Sequence, residues 1–184
     1  MNDNVELVYT DGSAVILRNQ SNINGPGGFG TYFPNLMGKP RAYSLGFKST
    51  KTGRMEIMAL YYAIIALPID NRKNIILRVY SDSQYVVKTF TEKRLERWIA
   101  AGWRNSSGDV KNRDLWEKVL SALNNRKYIQ LDLRHIKSHQ VDREKDPEKK
   151  KLLLKDPHIR GNMIADILAD YKRHKILLES DIIN

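Results

Sequence analysis

Apolar positions along the chain fall into short runs broken by polar turns, and the runs alternate in character. Val5 to Tyr9 reads as a short buried strand that ends at an Asp11-Gly12 turn signal. Residues 19–28 are polar and rich in Asn and Gly, closing with Gly25-Pro26-Gly27-Gly28. That closing run lacks the Gly-Lys-Ser/Thr ending of a phosphate loop, so it reads as the entry to a hairpin. Phe29 to Phe33 and Arg41 to Phe47 read as two further strands, giving an antiparallel start to a sheet. From Arg54 to Leu67 the chain is almost wholly apolar and stops at Pro68, which predicts a buried helix. Ile75 to Tyr80 reads as a buried strand with a helix starting near Ser83. Leu115, Trp116, Val119, Leu120 and Leu123 fall at helical spacing, and Tyr128 to Leu133 reads as a strand. A last helix is expected from about Arg160 to Lys172. The order β-β-β-α-β-α-α-β-α predicts an α/β protein with a mixed sheet covered by helices.

Four acids do not fit this apolar pattern. Asp11 follows the first strand, Glu56 sits in the first turn of the apolar helix, Asp82 follows the Ile75–Tyr80 strand, and Asp166 lies on the last helix. Each has a structural explanation when taken alone. Asp11 can form a turn, Asp82 can cap the helix that follows, and Asp166 can face solvent. Glu56 is harder to explain, because its helix leaves little polar face. If the strands ending near Asp11 and Asp82 are parallel neighbours, both carboxylates emerge at one sheet edge, where α/β proteins place their sites. Clustered carboxylates repel one another, and a divalent cation relieves that repulsion. Oxygen ligands of this kind suit Mg²⁺ or Mn²⁺. His139, after the last strand, reads either as an exposed loop residue or as a proton-transfer group beside the acids.

Charge selects among partners. The 184 residues carry 31 Lys/Arg against 21 Asp/Glu, a formal net charge of +10. Such an excess fits a polyanionic partner, and nucleic acid fits better than a membrane. No apolar run approaches the ~20 residues of a spanning helix. The start, Met1-Asn2-Asp3-Asn4, does not read as a secretory leader, and the absence of cysteine excludes disulfides and thiolate metal sites. These features fit a cytoplasmic protein (in the host's cytoplasm, for a viral source). A basic stretch at 93–113, a charged insert at 141–158 and a tail at 175–184 stand out from the predicted elements, leaving residues 1–174 as one expected domain.

The motifs Tyr9-Thr10-Asp11-Gly12-Ser13, Arg54-Met55-Glu56-Ile57-Met58-Ala59, Ser81-Asp82-Ser83-Gln84-Tyr85-Val86 and Asn162-x-x-x-Asp166-x-Leu168-Ala169 occur in the order of the type 1 ribonuclease H family. The chain resembles that family over about residues 5–172. The resemblance implies a ribonuclease H-like fold, with a five-stranded mixed sheet of three antiparallel strands then two parallel ones, flanked by helices. It implies a monomer that hydrolyses the RNA strand of RNA–DNA hybrids, leaving 5′-phosphate and 3′-hydroxyl ends. It also implies two Mg²⁺ ions on Asp11, Glu56, Asp82 and Asp166, with Mn²⁺ substituting and Asp11 bridging, and a mobile role for His139. Substrate contacts are implied at Gly12, Ser13, Lys51, Thr52, Arg54, Gln84, Arg97, Trp98, Trp103, Arg104, Lys111 and Asn162. Of the tryptophans, Trp116 reads as core and Trp103 as the better contact. The chain departs from the family at Ser138, where glycine usually precedes the loop histidine, and at Lys51, which stands where bacterial members carry a threonine. The competing readings are a nuclease of the same superfamily acting on DNA or junctions, and a non-catalytic nucleic-acid-binding module.

Overall fold

A computed structural model of the chain describes residues 4–16, 24–68 and 74–181. The elements run β1 (Asn4–Ile16), β2 (Asn24–Leu36), β3 (Lys39–Thr50), α1 (Thr52–Ile65), β4 (Ile75–Ser81), α2 (Gln84–Thr91), α3 (Arg94–Ala100), β5 (Arg104–Asn105), β6 (Gly108–Asp109), α4 (Arg113–Asn124), β7 (Ile129–His135), α5 (Gln140–Arg143), α6 (Pro147–Leu153) and α7 (Pro157–Asp181). Five strands form one sheet in the order β3-β2-β1-β4-β7, while β5 and β6 make a separate small hairpin. β1, β2 and β3 pair antiparallel, and β4 and β7 join parallel to β1 and to each other. This is the α/β ribonuclease H-like fold, with the mixed sheet expected from the sequence.

The two sheet faces are filled differently. Val8 is fully buried and belongs to a core cluster with Ile57, Leu60 and Ile64 of α1, Leu77 and Val79 of β4, and Trp116 and Val119 of α4. Tyr9, the next residue on β1, turns to the other face, against α7. There the helix rests almost on bare backbone. A Cβ at Gly30 would come within 2.1 Å of the Ala165 carbonyl oxygen, and one at Gly28 within 2.5 Å of that of Ala169. Only glycine admits so close an approach.

Several element boundaries differ from the sequence reading. β1 does not end before Asp11 but continues to Ile16, because Asp11, Gly12 and Ser13 pair with Gly30, Phe29 and Gly28 of β2. Cross-strand pairing outweighs the local Asp-Gly turn preference. Gly25-Pro26-Gly27-Gly28 accordingly lies within β2, and most of the polar stretch before it (17–23) lies outside the described residues. Ser83, not Asp82, caps α2, its Oγ accepting from Val86 N at 3.2 Å. The last helix is longer at both ends, beginning at Pro157 and continuing through most of the expected tail to Asp181. The charged insert is mostly helical, holding α5 and α6.

Candidate active site

Strand register creates the site. β1 and β4 run parallel with Tyr9 beside Tyr80 and Thr10 beside Ser81, so Asp11 and Asp82 arrive at the same edge one step later. Asp11 is 8% exposed and accepts a hydrogen bond from Gly12 N at 2.8 Å. Its carboxyl is within hydrogen-bonding reach of those of both Asp82 and Asp166. Glu56 approaches from α1, whose first turns press on β1. A Cβ at Gly12 would lie 2.2 Å from Glu56 N. Ser83 Oγ donates to Glu56 Oε2 at 2.6 Å, so one hydroxyl caps α2 and orients the acid. Asp166 comes from α7. The four acids line one cavity of 320 Å³ with Gly12, Ser13, Thr52, His139, Asp170 and Arg173.

Electrostatics mark the four acids as a unit. Burial, followed by the charges of Asp82 and Asp166, holds the Asp11 carboxyl well above the ordinary carboxylate range. Burial also raises Asp82 and Asp166, against the lowering effect of their hydrogen bonds to Asp11 and of nearby His139. Glu56 is raised by burial and by Asp82, while its Ser83 hydrogen bond opposes the shift. Carboxyls in mutual contact must share protons or a cation. An all-oxygen set that is raised chiefly by burial, with mutual charge adding to it at Asp11, Glu56 and Asp166, and that opens to a cavity, fits a hard divalent ion.

His139 has its Nδ1 3.4 Å from Asp166 Oδ2 and 3.3 Å from Asp142 Oδ2. It sits in the left-handed region at φ 52°, at the N-terminus of α5. Asp142 of the insert therefore shares the imidazole with Asp166, and ligand atoms of all three lie within 4.8 Å of one another. Asn162 is buried next to them, lining a small neighbouring cavity with His139, Asp142 and Asp166. Its Oδ1 has no partner among the described residues.

The remaining expected contacts separate into two groups. Gly12, Ser13 and Thr52 line the carboxylate cavity, Lys51 is exposed at the N-cap of α1, and Gln84 is exposed at the start of α2. Arg54 is already engaged, gripping Asp114 through two hydrogen bonds of 2.9 and 2.6 Å and reaching Asn112 at 3.4 Å. In the basic segment, Trp98 packs on Trp116 at 6.2 Å between ring centroids, and Trp103 joins the same cluster with Arg113 stacked 5.4 Å over its ring. Both tryptophans thus anchor the arm to the core, Trp103 remaining half-buried. Arg97 donates to the Glu92 carbonyl, while Arg104 and Lys111 stand exposed. Three residues of the site escaped the sequence reading. The sequence marked Ser83 only as the start of a helix, and Asp170 and Arg173 were not singled out from the last helix. The one usable signal was spacing, since Asp170 follows Asp166 by one helical turn.

The sheet order and the acidic edge define a protein of the ribonuclease H-like class. The RNase H family profile matches residues 3–173. A ribonuclease H of Lachnoclostridium phytofermentans is 42% identical over 122 residues, covering 64% of this chain and 72% of that protein. A ribonuclease H of Chromobacterium violaceum is 38% identical over 138 residues, covering 74% and 84%. Among solved structures, LC11-RNase H1 in complex with an RNA/DNA hybrid aligns with TM-score 0.62 at 19% identity, over 94% of this chain and 99% of that one. The PFV RNase H domain aligns with TM-score 0.65 at 21% identity, over 94% and 96%. At these identities the two structures speak for the fold. The chain belongs to the RNase H family and is a ribonuclease H hydrolase.

Proposed function

We propose that this chain cuts the RNA strand of RNA–DNA hybrids, leaving 5′-phosphate and 3′-hydroxyl ends, with Asp11, Glu56, Asp82 and Asp166 as its metal-holding acids. The observation that carries the reading is the buried Asp11 carboxyl in contact with Asp82 and Asp166 on the wall of an open cavity. Two Mg²⁺ ions, or Mn²⁺ in their place, would supply a water of lowered pKa and neutralise charge on the leaving 3′ oxygen. Ser83 fixes the Glu56 carboxylate, and Gly12 lets α1 bring that acid over β1. His139 offers an imidazole at the cavity wall for proton transfer or product departure. The backbone at Gly12 and groups near Glu56 are suited to reading a 2′-hydroxyl, the atom that separates RNA from DNA.

Residues 1–174 act as the catalytic domain, monomeric and cytoplasmic, and the basic segment 93–113 grips the DNA strand. Among the described residues no helix is long and apolar enough to cross a membrane. Lys111 and Arg104 are exposed for phosphate contact; Ser13 and Thr52 line the acid cavity, Asn162 lines the cavity next to it, and Lys51 and Gln84 are exposed at the N-terminal ends of α1 and α2, all for contact with the cut strand. The deciding assay incubates the protein with labelled hybrid, duplex DNA, duplex RNA and a branched junction, with and without Mg²⁺. Cutting confined to the RNA of the hybrid and dependent on Mg²⁺ is expected. Hybrid binding without cutting would make the chain a binding module, and equal cutting of duplex DNA or the junction would move it to another substrate.

A further inference from the structure

The cavity that holds the four acids has two more charged residues on its wall. Asp170 lies one turn beyond Asp166 on α7, and Arg173 follows three residues later; both line the cavity. Asp170 Oδ1 accepts a hydrogen bond from Ser13 Oγ of β1 at 2.7 Å and lies 3.2 Å from Arg173 Nη2. One oxygen is therefore held from the strand and from the helix at once. The Arg173 side chain is 23% exposed, too covered for a free surface arginine. Its guanidinium has five N–H donors in a planar fork, and Asp170 is its one partner among the described residues. Among the described residues nothing else engages the fork, so its remaining N–H groups face the cavity that Arg173 lines.

The mount beneath Arg173 is rigid. A Cβ at Gly28 would lie 2.9 Å from Arg173 N, so the helix backbone sits directly on β2 at this residue. A lone i,i+3 ion pair adds only a few tenths of a kcal/mol to a helix and requires no third residue. Here Ser13 from another element completes the set, which fixes the direction of the fork. Apart from Arg173 and the titratable His139, the charged residues of this cavity are five carboxylates. A nucleic-acid strand entering such a cavity meets repulsion except where a permanent cation faces it. A fork of N–H groups matches two oxygens of a phosphodiester.

We infer that Arg173, held by Asp170 and Ser13, forms a phosphate subsite for the strand being cut, receiving the backbone phosphate next to the scissile linkage. This inference rests on the hybrid-cleavage reading above. The test measures steady-state cleavage by the full chain in Mg²⁺ for the wild type, Arg173→Gln, Arg173→Lys and Asp170→Asn. The substrates are hybrids whose cut strand carries a single neutral 2′-deoxy methylphosphonate at successive positions flanking the main cut, each matched to a 2′-deoxy phosphodiester control. Arg173→Gln should raise KM about 3–10-fold with little change in kcat, and Arg173→Lys should recover part of that loss. Asp170→Asn should produce a smaller rise in KM. At one flanking position the neutral linkage should slow the wild type by a similar factor and have no further effect on Arg173→Gln. An unchanged KM, a lowered melting temperature as the sole effect, or losses that multiply at every position would each overturn the subsite. A wild type that leaves hybrids uncut would instead overturn the cleavage reading beneath it.

Discussion

The carboxylate cavity and the basic arm at 93–113 are attached to the same core by different means. At the cavity, backbone lies on backbone. Gly12 admits the amide of Glu56, and Gly28 and Gly30 admit the carbonyls of Ala169 and Ala165 on either side of the acids that α7 and its neighbours present. The arm is attached by side chains, with Trp98 packed on the fully buried Trp116 and Trp103 set against the same core cluster; the Trp116 indole N–H donates to Tyr85 OH at 2.9 Å. Its turns use left-handed residues with open space around them, such as Gly102 at φ 64°, where an added Cβ would meet nothing within 4 Å. The acids must hold oxygens to a fraction of an ångström, which close backbone contact provides. The arm needs only to present cations, and an aromatic anchor is sufficient for that.

The sharpest way to separate the two regions is Asp11→Asn. Cleavage of hybrid should fall by roughly 10³-fold or more, since the acid shared by Asp82 and Asp166 is lost, while affinity for hybrid in the absence of cutting should stay within about twofold. Retained turnover would place the chemistry elsewhere. Next in size is a matched pair of glycine substitutions. Gly12→Ala should destabilise by about 3 kcal/mol and disable cleavage, because a methyl group must push α1 away from β1. Gly102→Ala meets no neighbour and should cost only about 1 kcal/mol through its positive φ, leaving kcat intact. Similar losses in both would end the distinction between a rigid site and a tolerant arm.

A smaller effect is expected from the arm's charges. Arg94, Arg97 and Arg113 are occupied by Glu92, the Glu92 carbonyl and Glu117, which leaves Lys93, Lys111 and the weakly paired Arg104 exposed to meet phosphate. Arg104→Gln with Lys111→Gln should raise KM several-fold, more than it lowers kcat, and reduce the salt slope by about 2. An unchanged KM would leave the arm as surface.

The smallest effect is on thermal stability. The raised carboxyl groups of Asp11, Asp82, Asp166 and Glu56 favour protonation in the folded state, so their contribution is present below the ordinary values of 4.5 for Glu56 and 3.8 for the aspartates and is lost as pH rises through their raised values. Asp114 and Asp132, held low mainly by Arg54 and by Arg78 with Arg134, act in the opposite sense and lose their contribution as pH falls below the ordinary aspartate value. Without metal, the melting temperature should therefore decline as pH rises from the ordinary carboxylate range towards neutrality. Mg²⁺ should reverse the decline, and Asp11→Asn should raise the metal-free value at pH 7.5 by roughly 2–4 °C. A flat profile that ignores Mg²⁺ would show that the acids do not repel one another.

What the sequence disclosed depended on how far each cause lay from its residue. Apolar runs announced the buried strands and α1, because burial is written into the residues themselves. The acids were legible as misfits against those runs. The continuation of β1 past Asp11 was not, since its cause is the glycine-rich strand opposite. Trp103 between Gly102 and Arg104 resembled an exposed contact, yet its ring returns to the core through a left-handed turn that local spacing does not reveal. Asp170 and Arg173 were hidden for a related reason. An Asp and an Arg three apart on a helix look like a surface pair, and only Ser13 of β1 shows that they face the site.

The glycine seat under α7 also sets an order of events during synthesis. Asp11, Glu56 and Asp82 leave the ribosome well before Asp166, and chains fold broadly from the N-terminus as they emerge. Until α7 settles onto Gly28 and Gly30, the nascent chain holds three acids, a bare strip of strand backbone and no complete catalytic centre. If these acids are the metal-holding set proposed above, the chain acquires its cleavage site only in the step that seats α7 on the glycines of β2.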